Sequence, residues 1–116
     1  MRITEIKTFL VDAYLLVRVH TDEGIVGNGE AGYWESPSTT AAHIGSLNDY
    51  FVGQDPLRID HHHQVVSRTT HFSGAVLSAA LSAIDIALWD ILGKSVGLPV
   101  YQLLGGKCRD KVRVFD

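Results

Sequence analysis

The stretch LSAALSAIDIALWDILGKSVGLPVYQLLG, Leu77 to Gly105, decides the fold. Counting from Val76, apolar residues recur at Leu77, Ala80, Leu81, Ile84, Ala87, Leu88, Ile91 and Leu92. This is the i, i+3, i+4, i+7 spacing of one helix face, held for about five turns. Ser78, Ala79, Ser82 and Ala83 are small, so another backbone can approach closely. Lys94 stands in the last turn, Gly97 suits a left-handed residue, and Pro99 blocks continuation. The pattern predicts a buried central helix, then a second short helix from Val100 to Leu104 that closes on Gly105 and Gly106.

Upstream, the period changes. Residues 2–11 alternate imperfectly through Ile3, Ile6, Phe9 and Leu10, and Val11-Asp12-Ala13 breaks the run. Tyr14 to His20 puts Leu15, Val17 and Val19 on one face of a strand and Tyr14, Leu16, Arg18 and His20 on the other. Thr21-Asp22-Glu23-Gly24 reads as a tight hairpin loop with Gly24 at positive φ. Ile25 to Glu30 forms a third strand, where Gly27 and Gly29 imply close backbone approach or a bulge. Ser36-Pro37 opens a helix to about Val52, ended by Gly53, and Asp55-Pro56 opens another to about Ser67. The expected class is α+β: a three-stranded antiparallel meander followed by a helical bundle. Past Gly105, a polar turn leads to Lys111–Phe115, which reads as the start of a further strand.

The central stretch also carries a resemblance. Ala80-Leu-Ser-Ala-Ile-Asp85-Ile-Ala-Leu-Trp89-Asp90-Ile-Leu-Gly93-Lys94, then Pro99-Val-Tyr-Gln-Leu-Leu-Gly105, resembles the N-terminal signature of the mandelate racemase/muconate lactonizing enzyme group of the enolase superfamily. The resemblance implies an N-terminal capping domain over residues 1–110. Residues 111–116 would then open a C-terminal β/α barrel whose remainder lies outside this sequence. It also implies a parent enzyme that abstracts the proton α to a carboxylate, using Mg²⁺ and a base held by the barrel. The implied partners are that barrel and a small carboxylate substrate, a sugar acid or hydroxy acid, in a homo-oligomer. The Ala87-Leu88-Trp89-Asp90 run and the short break after the first strand look most like acid-sugar dehydratases. Racemisation or cycloisomerisation is the alternative within the family, and a freestanding non-enzymatic binding or assembly module is the alternative outside it.

Composition narrows the classes. A net charge of −3 gives no footprint for nucleic acid or an anionic membrane surface. The sequence reading finds no apolar run near the roughly 20 residues of a membrane span, and the strand-like N-terminus does not read as a signal peptide. A single cysteine, Cys108, allows no internal disulfide and suits the cytoplasm.

No catalytic or metal-binding residue is assigned within 1–116, so these residues alone are expected to form no active enzyme. Adjacent helical residues diverge by about 100°, so His61-His62-His63 reads as a solvated face rather than a metal site. Asp85 shares the apolar stripe and is expected to be buried and hydrogen-bonded, Asp90 to pair with Lys94, and Trp89 to pack in the core or at an interface. Tyr33 and Trp34 are the exception. They follow the last strand in a loop where large aromatics are not needed for a core. By resemblance, this loop closes over the barrel mouth, making Tyr33 and Trp34 the candidate substrate-lid residues.

Overall fold

The fold comes from a computed structural model that describes residues 1–115. Three strands, β1 (Ile3–Val11), β2 (Tyr14–Thr21) and β3 (Val26–Ala31), form an antiparallel meander in the order β1-β2-β3. Five helices follow: α1 (Pro37–Ser46), α2 (Asn48–Phe51), α3 (Ile59–Thr69), α4 (Ala75–Val96) and α5 (Val100–Leu103). The α+β class read from the sequence is therefore the observed one.

Helix α4 is the centre of the domain. Ala80, Ala83, Ile84, Ala87, Leu88 and Ile91 are buried in the core that α4 shares with the sheet, α1 and α3, and the inner face of the sheet presents Leu15, Val17 and Val19. Gly97 ends α4 in the left-handed region, with φ 71°. Gly27 and Gly29 let β3 lie directly on α4. A Cβ at 29 would collide with the carbonyl oxygen of Ala83, and one at 27 with that of Ala87. Polar ties finish the seam. The Asn28 N–H donates to Asp90 Oδ2 at 2.9 Å, while Lys94 Nζ donates to Asp90 Oδ2 and to the Val26 carbonyl, both at 2.6 Å. Burial alone would raise the Asp90 carboxyl pKa, but the hydrogen bonds from Lys94 and Asn28 bring it below its ordinary value.

Both turns of the meander form as their residues require. Gly24 takes φ 79°, and its N–H closes on the Thr21 carbonyl. Asp12 takes φ 54° in the β1–β2 turn, a conformation Asp tolerates better than most residues. The first residues of β1 are also held from outside the sheet. Ile3 donates to the Gln54 carbonyl and accepts from the Gly53 N–H, at 2.9 and 2.8 Å.

Several sequence expectations need correction. The single helix from Ser36 to Val52 is two helices, because the Leu47 N–H bonds to Ile44 and tightens the backbone there, and Ile44 and Phe51 are both buried. The helix expected from Pro56 begins at Ile59. Asp55 Oδ1 instead accepts from the Leu57 N–H in a local turn. Among the described residues Lys111–Phe115 pairs with no strand, and Val112, Val114 and Phe115 are exposed; Asp116 lies outside the described residues. The absence of a long apolar run is also overturned. Helix α4 has 22 residues, and an 18-residue window of it reaches a mean hydropathy of 1.8, enough by length and composition to cross a membrane, but much of its apolar surface is used in the domain core.

The histidine run differs too. His61 and His63 are exposed, but His62 is 1% exposed and belongs to the core. Its Nε2 lies 2.7 Å from the Asp55 carbonyl, an acceptor only, so Nε2 carries the proton and Nδ1 accepts from the Tyr50 hydroxyl at 2.8 Å. Burial lowers the His62 pKa, opposed by the hydrogen bond to Asp55, and burial raises that of Tyr50.

Candidate functional site

The alternation of β2 that buries Leu15, Val17 and Val19 turns Tyr14, Leu16 and Arg18 to the opposite, uncovered face of the sheet. Register sets Phe9 opposite Leu16 and Val11 opposite Tyr14 on that same face. Arg18 lies over the Phe9 ring, 5.5 Å from its centroid, and its Nε donates to Asn28 Oδ1 at 3.2 Å. The result is an apolar platform at the β1–β2 turn, with Arg18 held by an aromatic face and an amide.

The β3–α1 loop completes the platform. Trp34, 65% exposed, meets Tyr14 edge-to-face with ring centroids 6.5 Å apart and planes at 76°. Two segments distant in the chain, the turn after β1 and the loop after β3, thus meet at one end of the sheet.

Tyr33 points elsewhere. It is half-buried in a separate hollow with His43, Phe72 and Leu77, beside the start of α4. The structure therefore does not bring the two candidate lid residues together. Sequence reasoning missed Tyr14 as the partner of Trp34. A signal was present, because β1 and β2 carry large apolar side chains on both faces, more than one covered face requires.

Asp85 is less buried than expected, and Trp89 packs against the core from its edge. Both are half-buried, and burial raises the Asp85 pKa, opposed by nearby His63. The pairing of Asp90 with Lys94 is as expected. Among the described residues, no three His, Cys, Asp or Glu side chains are placed to hold a metal ion. Cys108 is exposed and free.

Comparison with known proteins agrees with the fold. The family described as mandelate racemase / muconate lactonizing enzyme, N-terminal domain, matches residues 3–105. A D-galactonate dehydratase of Pectobacterium atrosepticum is 45% identical over 100% of this chain and 31% of its own length. A D-galactonate dehydratase of Klebsiella pneumoniae is 43% identical, again over 100% of this chain and 31% of its own. Among solved structures, an enolase from Pantoea ananatis with bound D-gluconate and Mg superposes with a TM-score of 0.89 at 40% identity, covering 94% of this chain and 28% of that one. An enolase-superfamily member from Salmonella Typhimurium gives a TM-score of 0.92 at 36% identity, covering 98% and 31%. The chain spans about a third of the length of the curated relatives it matches.

Proposed function

The chain belongs to the mandelate racemase / muconate lactonizing enzyme N-terminal domain family, and on that footing we propose that it is the capping and substrate-specificity domain of an acid-sugar dehydratase. The observation that carries this reading is its 45% identity, over the whole chain, to a D-galactonate dehydratase. Residues 1–110 form the cap, and 111–116 open the barrel domain that supplies the base and the Mg²⁺ site. A six-carbon aldonic acid such as galactonate or gluconate is the substrate class. Loss of the α proton and the β hydroxyl, as water, leaves a 2-keto-3-deoxy acid.

The cap contributes selection rather than chemistry. Trp34 and Tyr14 form a rigid aromatic edge that closes over the substrate's far end and excludes water, while Tyr33 fixes the base of the loop. The enzyme is cytoplasmic and homo-oligomeric in this proposal, which the exposed, unpaired Cys108 supports for location. The test is to incubate the full-length protein and Mg²⁺ with a panel of aldonic and aldaric acids and follow 2-keto-3-deoxy product. Turnover of an aldonic acid is expected. Failure on every sugar acid, or epimerisation without loss of water, would overturn the proposal.

A further inference from the structure

The seam between β3 and α4 fixes what lies at the start of the long helix. Gly27 abuts Ala87 and Gly29 abuts Ala83, so α4 runs antiparallel to β3. Leu15, next to the β1–β2 turn, pairs with Ala31 at the end of β3. The connection into α4, residues 70–74, therefore lies at the same end of the domain as the β1–β2 turn and the β3–α1 loop. Tyr33 marks the junction, since it lines a hollow of about 340 Å³ together with Phe72, Ser73 and Ala75. Tyr14, Tyr33, Trp34 and Phe72 stand on or beside these three connections, whereas Thr21-Asp22-Glu23-Gly24 and Gly97-Leu98-Pro99 at the opposite end carry no aromatic residue. Phe72 is 82% exposed, and its ring meets that of His71 edge-on, with centroids 4.8 Å apart. It does not stand on a loose tip. The Thr69 and Thr70 hydroxyls donate to the Val65 and Val66 carbonyls at 2.7 and 2.8 Å, and the Ser78 N–H donates to the Gly74 carbonyl at 3.0 Å. Phe72 thus sits on a short span between two fixed helix ends, with its ring outside the core.

We propose that Phe72 selects the far end of the substrate: its ring packs on the C–H face of an aldonic acid beside Trp34, and a second carboxylate there is rejected. An aromatic ring excludes water but donates no hydrogen bond, so a carboxylate brought against it loses hydration without gaining a partner. A hydroxymethyl group loses far less. Charge acts in the same direction. The three connections hold Asp12 and Glu35 and no lysine or arginine, with His71 their single basic side chain. An aldaric acid, charged at both ends, therefore meets an apolar ring and two like charges where an aldonic acid presents a neutral end. This role for Phe72 rests on the acid-sugar dehydratase reading, and adds to it the residue that separates the two classes of sugar acid.

Kinetics of the full-length enzyme with Mg²⁺ test it, using gluconate and galactonate as substrates. The matching aldaric acids and glycerate, which has no far end, serve as competitive inhibitors. Phe72→Ala should lower kcat/KM for the aldonic acid by about tenfold, with the Ki of glycerate moving less than about twofold and Tm little changed. Phe72→Lys should tighten the aldaric acid by about tenfold, a gain that a packing role does not produce. Phe72→Tyr keeps the ring and should stay near wild type. An unchanged kcat/KM in Phe72→Ala would overturn the proposal, as would a wild-type enzyme that binds aldaric and aldonic acids equally. An equal loss for glycerate would make Phe72 a packing residue, and a changed sedimentation coefficient with unaltered kinetics would assign its ring to a second copy. Either result discards the selective role. A wild-type enzyme that turns over no sugar acid removes the dehydratase reading itself, whereas turnover of an aldonic acid with an indifferent Phe72 removes this assignment alone.

Discussion

Gly29 and Ala83 are in backbone contact across the sheet–helix seam, with no space for even one additional carbon. The Gly27 site is equally closed, where a Cβ would also lie 2.7 Å from Ile91 Cγ1. Gly29→Ala should therefore destabilise the domain by about 3 kcal/mol or more, the upper end for overpacking, because the obstructing atom is main chain and does not rotate away. Gly45→Ala is the control. It lies in α1 with open space around it, and should be neutral or stabilising by up to about 1 kcal/mol. Denaturant melts of both variants check this, and equal losses would show that the seam is not as close as described.

Trp34 and Tyr33 should separate kinetically. In the full-length enzyme, Trp34→Ala should lower kcat/KM by about 10- to 100-fold, or about 1.4 to 2.7 kcal/mol, with little change in Tm. Tyr33→Ala should lower Tm with a smaller kinetic effect, because its half-buried side chain lines the hollow beside the start of α4 rather than the platform. The reverse pattern would move the lid role to Tyr33.

His62 makes stability depend on pH. Its folded pKa lies below the ordinary 6.5, so the unfolded chain binds the proton more readily. The contribution is complete above pH 6.5 and is lost as pH falls from there through the depressed folded value. Urea melts between pH 7.5 and 5 should show that slope, and His62→Gln should flatten it. A wild-type slope of opposite sign that His62→Gln removes would contradict the lowered pKa.

Asp90→Ala should destabilise by about 1 to 3 kcal/mol, since it leaves the Asn28 N–H and the Lys94 ammonium without their shared acceptor. Because the Asp90 pKa is depressed, its contribution is present above the ordinary 3.8 and declines as pH falls through the folded value. Lys94→Ala should shift that decline toward higher pH, which NMR titration of the Asp90 carboxyl would detect.

The parts of the fold governed by local rules were legible in the sequence. The spacing from Leu77 to Ile91 located α4, Gly97 marked its end, and the glycines at 27 and 29 announced close approach before any partner was known. What escaped depended on contacts between distant segments. His62 lies in a polar triplet, and only Tyr50 and the Asp55 carbonyl, from other segments, explain its burial. Trp34 was visible as an unexplained aromatic, but its meeting with Tyr14 depends on strand register and turn geometry. Lys111–Phe115 has the alternation of a strand, and alternation without a neighbouring strand does not make a ladder.

The seam between β3 and α4 also bears on how the protein is made. A ribosome adding about 5 to 20 residues per second completes Ala83 roughly 3 to 10 s after Gly29. Throughout that interval the nascent meander has Leu15, Val17 and Val19 uncovered, because the helix that buries them has not been synthesised. The anchor at Gly53 and Gln54 arrives partway through and ties down only the start of β1. Emergence of Ile91 from the exit tunnel is therefore the earliest moment at which this domain closes, and slow codons before that point would lengthen its exposure to chaperones and to neighbouring nascent chains.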